Sequence, residues 1–197
     1  MVIRKLFKFE GAHIVRNCSS DRCKKSIHGH SYVVEVFLEA KTLDAGHMVY
    51  DFGLFKGTIK DVIDSFDHSY SMWKNEKSDY KDFIIKNSDR WVEMPVSPSA
   101  EGYSVMLLYI IDKILKNTVF NNGEDGDLTV SGVRVAETVT GWAEASKSDL
   151  YFMFGKNFDL EDIVFSEQVK AEWIDPEMWD KLIRGEKFIN PTVKITH

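Results

Sequence analysis

Four segments of this 197-residue chain have the side-chain pattern of β-strands, and their order limits the fold more than any single motif does. Residues 2–10 alternate between apolar and charged types, and residues 29–40 are rich in β-branched and aromatic types. Residues 128–138 alternate again, and a fourth strand is predicted from Trp142 onward. Two strands therefore lie at each end of this region of the chain.

Two helices are predicted between these strand pairs. Residues 52–66 have apolar side chains at helical spacing, and Asp51 is a candidate N-cap. A second helix follows residues 97–101, where a serine cap, a proline at the first position and a glutamate in the first turn coincide. The order strand, strand, helix, helix, strand, strand predicts an α+β fold, with a four-stranded antiparallel sheet and two helices on one face.

The remaining segments have weaker patterns. Residues 17–26 are polar and predict a loop, and residues 121–126 predict a turn. Residues 70–96 are less periodic and are interpreted as an irregular excursion or a hairpin. After about residue 150 the pattern weakens again, and residues 177–188 predict one more helix.

The composition excludes several classes of protein. With 44% hydrophobic and 13% aromatic residues, the chain can bury a core, which excludes global disorder. It has 25 basic and 31 acidic side chains and no long basic stripe, which argues against nucleic acid or an anionic membrane as the main partner. A small anionic substrate needs only a local basic cluster, and the candidates are Arg16, Arg22, Lys24 and Lys25.

Cysteine content and the lack of long apolar stretches predict a cytoplasmic protein. Cys18 and Cys23 are too few for a disulfide framework in a chain of this length. The N-terminal residues have no apolar signal-peptide core, and the apolar runs are too short to cross a bilayer. We therefore expect a soluble protein in a reducing compartment.

The tripeptide His28-Gly29-His30 opens the second predicted strand. Residues two apart on a strand point to one face, so both imidazoles can reach one metal ion, and Gly29 leaves room for close approach. His13, just past the first predicted strand, supplies a third nitrogen if the two strands pair. Three histidines with an open fourth position are typical of catalytic zinc. On its own, the tripeptide is also compatible with a simple polar pair at a strand end.

A closed structural zinc site is a second alternative. Its four ligands would be Cys18, Cys23, His28 and His30. Their separations of five, five and two residues do not match the usual short zinc-binding knuckles. Such a site would also leave His13 without a role, so the spacing disfavours it.

Three further positions have side chains suited to proton transfer or binding. In Asp67-His68, at the end of the first helix, the carboxylate can raise the basicity of the imidazole and fix its tautomer. Cys23 is flanked by basic residues that favour its thiolate. Glu137 ends a β-branched strand and can accept two hydrogen bonds from a guanidine-like edge, such as that of a pterin. Taken singly, each of these is more often an ordinary surface or loop residue.

Six short motifs, in order along residues 1 to about 145, resemble those of the 6-pyruvoyltetrahydropterin synthase and 6-carboxytetrahydropterin synthase family. They are Phe7–His13, His28–Tyr32, Met48–Phe52, Phe66–His68, Pro98–Glu101 and Ala136–Thr140. The family patterns are Phe-x-Phe-x-x-Ala-His, His-Gly-His-Ser/Asn-aromatic, hydrophobic-x-Asp-Phe, Leu-Asp-His, Pro-Thr-x-Glu and x-Glu-Thr-x-Thr.

The resemblance implies the tunnelling fold and an assembly. Members of the family form trimers whose four-stranded sheets join into a twelve-stranded barrel, and two trimers usually stack into a hexamer. Their active sites lie between subunits. We therefore expect a homo-oligomer, a trimer or a dimer of trimers, that acts on a small molecule and on neither nucleic acid nor membranes.

The resemblance also implies roles for the candidate residues. His13, His28 and His30 would bind Zn²⁺, and Cys23 would be the general base. Asp67 and His68 would form the proton-relay pair, and Glu137 would anchor the pterin ring. The family substrate is 7,8-dihydroneopterin triphosphate.

The expected activity is that of a zinc-dependent lyase that makes 6-carboxy-5,6,7,8-tetrahydropterin and releases acetaldehyde and triphosphate, as in the queuosine and 7-deazaguanine pathway. Residues 137–140 resemble that branch of the family. The first alternative is 6-pyruvoyltetrahydropterin synthase, which eliminates triphosphate and keeps the three-carbon side chain. The second is a non-catalytic oligomer that binds a pterin or a purine. A binding protein has no need of a proton relay, which argues against the last alternative.

The family motifs do not extend over the whole chain. We expect a tunnelling-fold pterin synthase domain at residues 1–150 and a C-terminal extension of unknown role at residues 151–197. Trp173, Trp179 and Phe188 indicate that this extension is ordered. The motifs do not predict whether it packs on the barrel, closes an active site or adds a subunit contact.

Overall fold

The computed structural model describes residues 1–121, 127–153 and 158–191, without the side chains of residues 151–153. The turn predicted at 121–126 lies outside these ranges apart from Asn121. The strands are β1 (Val2–His13), β2 (His28–Glu39), β3 (Ser69–Trp73), β4 (Trp91–Met94), β5 (Thr118–Phe120), β6 (Thr129–Thr138), β7 (Gly141–Ser146), β8 (Val164–Phe165) and β9 (Phe188–Asn190). The α-helices are α1 (Asp21–Lys25), α2 (Thr58–Asp64), α3 (Ser78–Asn87), α4 (Ala100–Asn117), α5 (Lys147–Met153), α6 (Glu167–Ala171) and α7 (Met178–Ile183). Two 3₁₀-helices span Phe52–Lys56 and Leu160–Asp162.

The predicted four-stranded antiparallel sheet is confirmed. It consists of β1, β2, β6 and β7, and each adjacent pair is antiparallel in the order β7-β6-β2-β1. β1 and β2 each have 12 residues, and the register pairs Phe9 with Tyr32 and His13 with His28. His13 is therefore the last residue of β1 and not a residue beyond it. Alternate side chains of β1 and β2 face the helices and form one wall of the core.

The excursion at residues 70–96 is neither irregular nor a hairpin, and this prediction was wrong. β3 and β4 are parallel to each other, and α3 connects them. Parallel neighbours need such a crossover, whereas a hairpin would join antiparallel strands. Phe83 and Ile85 of α3 are exposed and Ile84 is buried, so α3 has no continuous apolar stripe by which to recognise it. β3 and β4 extend the sheet beyond β1, and β8 pairs antiparallel with β4.

Helix boundaries also differ from the prediction. The segment at 52–66 divides at Gly57 into a 3₁₀-helix and α2, while Asp51 caps it as predicted, with Oδ1 2.7 Å from Gly53 N. Ser99 caps α4, accepting from Gly102 N at 3.2 Å, so Pro98 lies before the helix and not at its first position. The loop predicted at 17–26 contains the short helix α1, and the helix predicted at 177–188 ends at Ile183.

α4 fills the centre of the molecule, and 13 of its 18 residues are buried. It packs mainly on β6 and β7, and α2 packs beside it. The C-terminal segment covers the same core with eight further buried side chains. These are Leu160, Ile163, Phe165, Val169, Trp173, Met178, Trp179 and Leu182. In the described ranges, no helix combines the length and the apolar character that crossing a bilayer requires.

Candidate functional site

The pairing of β1 with β2 brings three histidines together. His13 lies opposite His28, and His30 lies opposite Gly11, two residues away along each strand. The ring centroid of His13 is 4.5 Å from that of His28 and 5.2 Å from that of His30. One nitrogen from each imidazole lies within 4.8 Å of the other two, which is close enough for all three to hold one metal ion. The sequence-based expectation that strand pairing gathers these side chains is confirmed.

Gly29 allows the strands to approach each other. A Cβ atom at position 29 would lie 2.9 Å from the carbonyl oxygen of Gly11 on β1, which is too close for a side chain. The glycine between the two histidines therefore makes room for the neighbouring strand. This keeps His28 and His30 in register with His13.

Backbone carbonyls orient two of the imidazoles. Nδ1 of His13 lies 2.5 Å from the carbonyl oxygen of Pro98, and Nδ1 of His28 lies 3.0 Å from that of Ser26. A carbonyl can only accept, so each Nδ1 carries the proton and donates it, which leaves Nε2 with a free lone pair. The two Nε2 atoms face each other at 3.1 Å. Such outer contacts are typical of metal-binding histidines.

The surroundings favour the neutral form of His13 and of His30. His13 is fully buried, and this burial lowers its pKa to about 4, although the contact with Pro98 opposes the shift and His28 and His30 add to it. Burial and the neighbouring His28 also lower the pKa of His30. Burial that favours neutral imidazoles at His13 and His30 suits a zinc ion, because only the neutral form can bind metal.

The alternative of a two-cysteine, two-histidine site is not supported by the geometry. In the part of the chain that the structure describes, the side chains close enough to share a metal ion are those of the three histidines. Both cysteines are free thiols, and Sγ of Cys18 donates to the carbonyl oxygen of Ser20 at 3.2 Å.

Cys23 lies on α1, which is tied to its neighbours through the backbone. Val15 N donates to the carbonyl of Cys23 at 3.0 Å, and an Arg16 Nη donates to that of Lys24 at 2.9 Å. The same guanidinium pairs with Glu76 at 2.6 Å, which links α1 to the turn after β3. Cys23 itself is half-buried.

The basic cluster predicted around α1 is partly neutralised. The ammonium groups of Lys24 and Lys25 both lie 2.9 Å from the carboxylate of Asp21. Arg16 is engaged by Glu76. These carboxylates offset part of the positive charge of the cluster.

Asp67 and His68 lie in the loop between α2 and β3. Oδ2 of Asp67 is 2.9 Å from Nδ1 of His68, and Oδ1 accepts from Glu10 N at 2.8 Å. Burial raises the pKa of Asp67, but the Glu10 N–H and the His68 imidazole outweigh it and hold the pKa below the usual range. His68 has a φ of 52°, a left-handed conformation that costs a non-glycine residue about 1 kcal/mol or more. The side chain of His68 is 77% exposed.

An open groove of about 500 Å³ is bordered by one residue of the histidine cluster and by one residue of the Asp67–His68 pair. Its lining includes His30 on β2 and His68 in the loop, because β1 lies between β2 and β3 in the sheet. One predicted metal ligand, His30, and one residue of the predicted relay pair, His68, therefore border the same surface depression. Cys23 and Glu137 are not among its lining residues.

Glu137 lies near the end of β6, beside the N-terminus of α4. Burial raises its pKa, and the neighbouring carboxylate of Glu101 raises it further, while His28 and the Ala100 N–H act in the opposite direction. The interaction with His28 places Glu137 on the side of the histidine cluster. A half-buried carboxylate here is suited to binding a cationic or hydrogen-bond-donating ligand.

Two residues of this site were not singled out from the sequence. Tyr32 is fully buried, and its hydroxyl lies 3.3 Å from Nε2 of His13. Burial raises the pKa of Tyr32 well above its usual value, so the hydroxyl stays protonated. Glu101 faces Glu137 across the start of α4. Both lie in motifs already noted, where Tyr32 was interpreted only as a strand residue and Glu101 only as a first-turn residue.

Comparisons with known proteins agree with these features. The family model described as 6-pyruvoyl tetrahydropterin synthase matches residues 2–148. A 6-carboxy-5,6,7,8-tetrahydropterin synthase from Helicobacter pylori strain J99 is 44% identical over 188 residues, covering 95% of this chain and 94% of the relative. The C-terminal segment is therefore shared with that relative.

Solved structures support the fold alone. An uncharacterised protein from Wolinella succinogenes has a TM-score of 0.58 at 22% identity, covering 75% of this chain and 98% of its own. The 6-pyruvoyl tetrahydropterin synthase of Caenorhabditis elegans has a TM-score of 0.50 at 18% identity, covering 74% of this chain and 94% of its own. These neighbours have the tunnelling fold, and each covers only about three-quarters of the chain. From the family match and the Helicobacter relative, the chain belongs to the 6-pyruvoyl tetrahydropterin synthase family.

Proposed function

We propose that this protein converts 7,8-dihydroneopterin triphosphate and water into 6-carboxy-5,6,7,8-tetrahydropterin, acetaldehyde and triphosphate. The observation that carries the proposal is the 44% identity, over 95% of the chain, to a protein named for that product. The geometry is compatible with it, since three histidines lie close enough to hold one metal ion and the groove beside His30 also borders His68.

His13, His28 and His30 would hold a zinc ion through their free nitrogens. Zinc bound there would supply Lewis-acid chemistry, acidifying groups next to the substrate oxygens that it contacts. The chain's own contribution is orientation, because Pro98 and Ser26 fix two of the rings through Nδ1. Tyr32 is fully buried on the inner side of the cluster, with its hydroxyl 3.3 Å from Nε2 of His13.

Cys23 would remove a proton from the substrate side chain, and the Asp67–His68 pair would deliver or accept one on the other side. The carboxylate of Asp67 keeps the proton of His68 on Nδ1, so Nε2 is the atom that exchanges protons with the substrate. The low pKa of Asp67 keeps that carboxylate charged through the neutral range.

Glu137 would bind the amino and N3 edge of the pterin ring through two parallel hydrogen bonds. The basic residues around α1 would meet the phosphates, once Lys24 and Lys25 exchange their contacts with Asp21. We also infer that residues 1–150 form the synthase domain and residues 151–197 its extension. The homo-oligomer, as a trimer or dimer of trimers, and the cytoplasmic location stay predictions.

The test is mass spectrometry of the products after incubation with 7,8-dihydroneopterin triphosphate, with metal analysis of the same preparation. A 6-carboxytetrahydropterin mass together with acetaldehyde supports the proposal. A 6-pyruvoyl product would assign the chain to the triphosphate-eliminating reaction instead. Unchanged substrate from zinc-containing protein would indicate a pterin-binding or purine-binding oligomer, and protein purified without zinc would contradict the role of the histidines.

A further inference from the structure

The C-terminal segment contacts the loop that carries Asp67 and His68, and Arg90 makes the connection. We call residues 64–68 the relay loop. Arg90 directly precedes β4, and its carbonyl oxygen accepts from Tyr70 N of β3 at 3.1 Å. The backbone of Arg90 is thus fixed in the sheet, and its side chain, 19% exposed, points to the relay loop.

The guanidinium of Arg90 makes three different contacts. Nε donates to the carbonyl oxygen of Asp67 at 2.9 Å, and Nη2 donates to that of Asp64 at 3.0 Å. Nη1 forms an ion pair with the carboxylate of Glu172 in the C-terminal segment. A planar guanidinium can serve three acceptors in fixed directions, which a lysine ammonium cannot do.

Glu172 is itself held in place. Its other carboxylate oxygen accepts from Gln168 Nε2 at 2.8 Å. The next residue, Trp173, is buried, and its Nε1 donates to Oγ of Ser65 in the relay loop at 2.9 Å. Ile174 N donates to the carboxylate of Asp61 on α2 at 3.0 Å. Glu172 therefore contacts Arg90, while Trp173 contacts the relay loop and Ile174 contacts α2.

The relay loop is held on its other side by β1. Glu10 N donates to Oδ1 of Asp67, and His68 N donates to the carbonyl of Glu10 at 2.6 Å. His68 keeps a left-handed backbone between these contacts. Asp67, His68, Arg90 and Glu172 also line one hollow of about 350 Å³. The carboxylate and the imidazole thus lie between a strand and an arginine.

We propose that Arg90, oriented by Glu172 of the C-terminal segment, is a positioning residue that fixes the Asp67–His68 pair for proton transfer. The inference rests on the proposed function, because it takes that pair as the proton relay. It assigns the C-terminal extension a specific task, which is to supply the carboxylate and the indole that immobilise the relay loop.

The experiment uses the full-length, zinc-loaded protein and 7,8-dihydroneopterin triphosphate. Arg90→Lys keeps the charge and loses the three-way contact, and Glu172→Gln removes the ion pair. Arg184→Lys and Glu186→Gln are matched controls, because Arg184 and Glu186 pair with each other elsewhere in the C-terminal segment. We expect Arg90→Lys to lower kcat about tenfold and Glu172→Gln about threefold, with KM within about twofold. The controls should stay within about twofold of the wild type.

A double-mutant cycle separates positioning from general stabilisation. In a His68→Ala background, Arg90→Lys should change the residual turnover by less than about twofold, because no relay remains to be positioned. An equal loss in both backgrounds, or a change confined to the melting temperature, would overturn the proposal.

A readout without turnover keeps this inference separate from the proposed function. The ¹⁵N chemical shifts of the His68 imidazole report its tautomer, and they should differ from the wild type in Arg90→Lys and match it in Arg184→Lys. Identical His68 spectra in all three proteins would overturn the positioning role. A wild-type protein that makes no product would contradict the proposed function, while these spectra would still decide the role of Arg90.

Discussion

The histidine cluster and the Asp67–His68 pair lie on different kinds of structure. His13, His28 and His30 lie on two paired strands, where a continuous ladder sets their separation. The relay pair lies in a loop, and its position depends on contacts with Glu10 and Arg90, which are far away in sequence. His13 is fully buried, whereas the side chain of His68 is 77% exposed.

The difference teaches that the two halves of the proposed site are stabilised separately. Strand pairing gathers the proposed metal ligands by a local rule, because residues two apart share a face. The loop has no such rule, and it depends on a hydrogen-bond network contributed by β1, β4 and the C-terminal segment. Variants in one half should therefore leave the other half intact.

The largest expected effect is that of His28→Ala. Loss of one of three ligands should remove most of the bound zinc and lower turnover by more than about 100-fold. Metal analysis and the product assay measure the two quantities. His68→Ala is the matched change in the loop and should lose turnover while keeping zinc. Zinc loss in His68→Ala would contradict the separation of the two halves. His47→Asn, outside the cluster and compatible with its positive φ of 59°, is the control.

Cys23→Ala tests the proposed proton transfer on the side of the substrate opposite the Asp67–His68 pair. Removal of the proposed general base should lower kcat about 10²-fold, the low end of the range for such groups, while zinc content and pterin binding stay unchanged. Steady-state kinetics and a binding assay with the product measure both. Cys18→Ala removes the other thiol, whose Sγ donates to the carbonyl oxygen of Ser20, and should leave kcat unchanged. Equal rates in the two variants would refute the role of Cys23.

Glu137→Gln should weaken pterin binding about 10-fold to 100-fold without releasing zinc, because a charge-assisted pair of hydrogen bonds is lost. In the wild type, burial and Glu101 raise the pKa of Glu137. Affinity should therefore decline as the pH falls, beginning at a higher pH than for an ordinary glutamate. Titration calorimetry across the acidic range measures this. Glu39→Gln, at the far end of β2, is the control. Zinc loss in Glu137→Gln would show that the carboxylate supports the metal ligands instead.

The smallest expected effect concerns Asp67→Asn and stability. The folded-state pKa of Asp67 is lowered, so its ionised form stabilises the protein above the unfolded-state pKa, and this contribution is lost as the pH falls through the lowered value. At pH values higher than about 5, the melting temperature of the wild type should exceed that of Asp67→Asn by about 2 °C. The difference is small because water screens a carboxylate that is 41% exposed. The difference should shrink and disappear as the pH falls through the lowered pKa of Asp67. A melting-temperature difference between the wild type and Asp67→Asn that does not change with pH would contradict the lowered pKa of Asp67.

Sequence patterns predicted the strands that bury one face against the core and expose the other. β1, β2, β6 and β7 alternate or are rich in β-branched residues, and all four were recognised. β3, α3 and β4 were missed because β3 is buried along most of its length and α3 lacks an apolar stripe, so neither has a clear period. β8 has only two residues, too few for any periodicity.

The sequence by itself determined the antiparallel sheet, the three-histidine cluster and the membership of the family, because each depends on residues at fixed spacing within paired strands. Only the tertiary structure decided how the Asp67–His68 pair is held and where residues 158–191 pack. The contacts of Arg90 with Asp67 and Glu172 join positions 23 and 82 residues apart. No periodicity encodes such contacts, since they arise only when separate elements pack on one core.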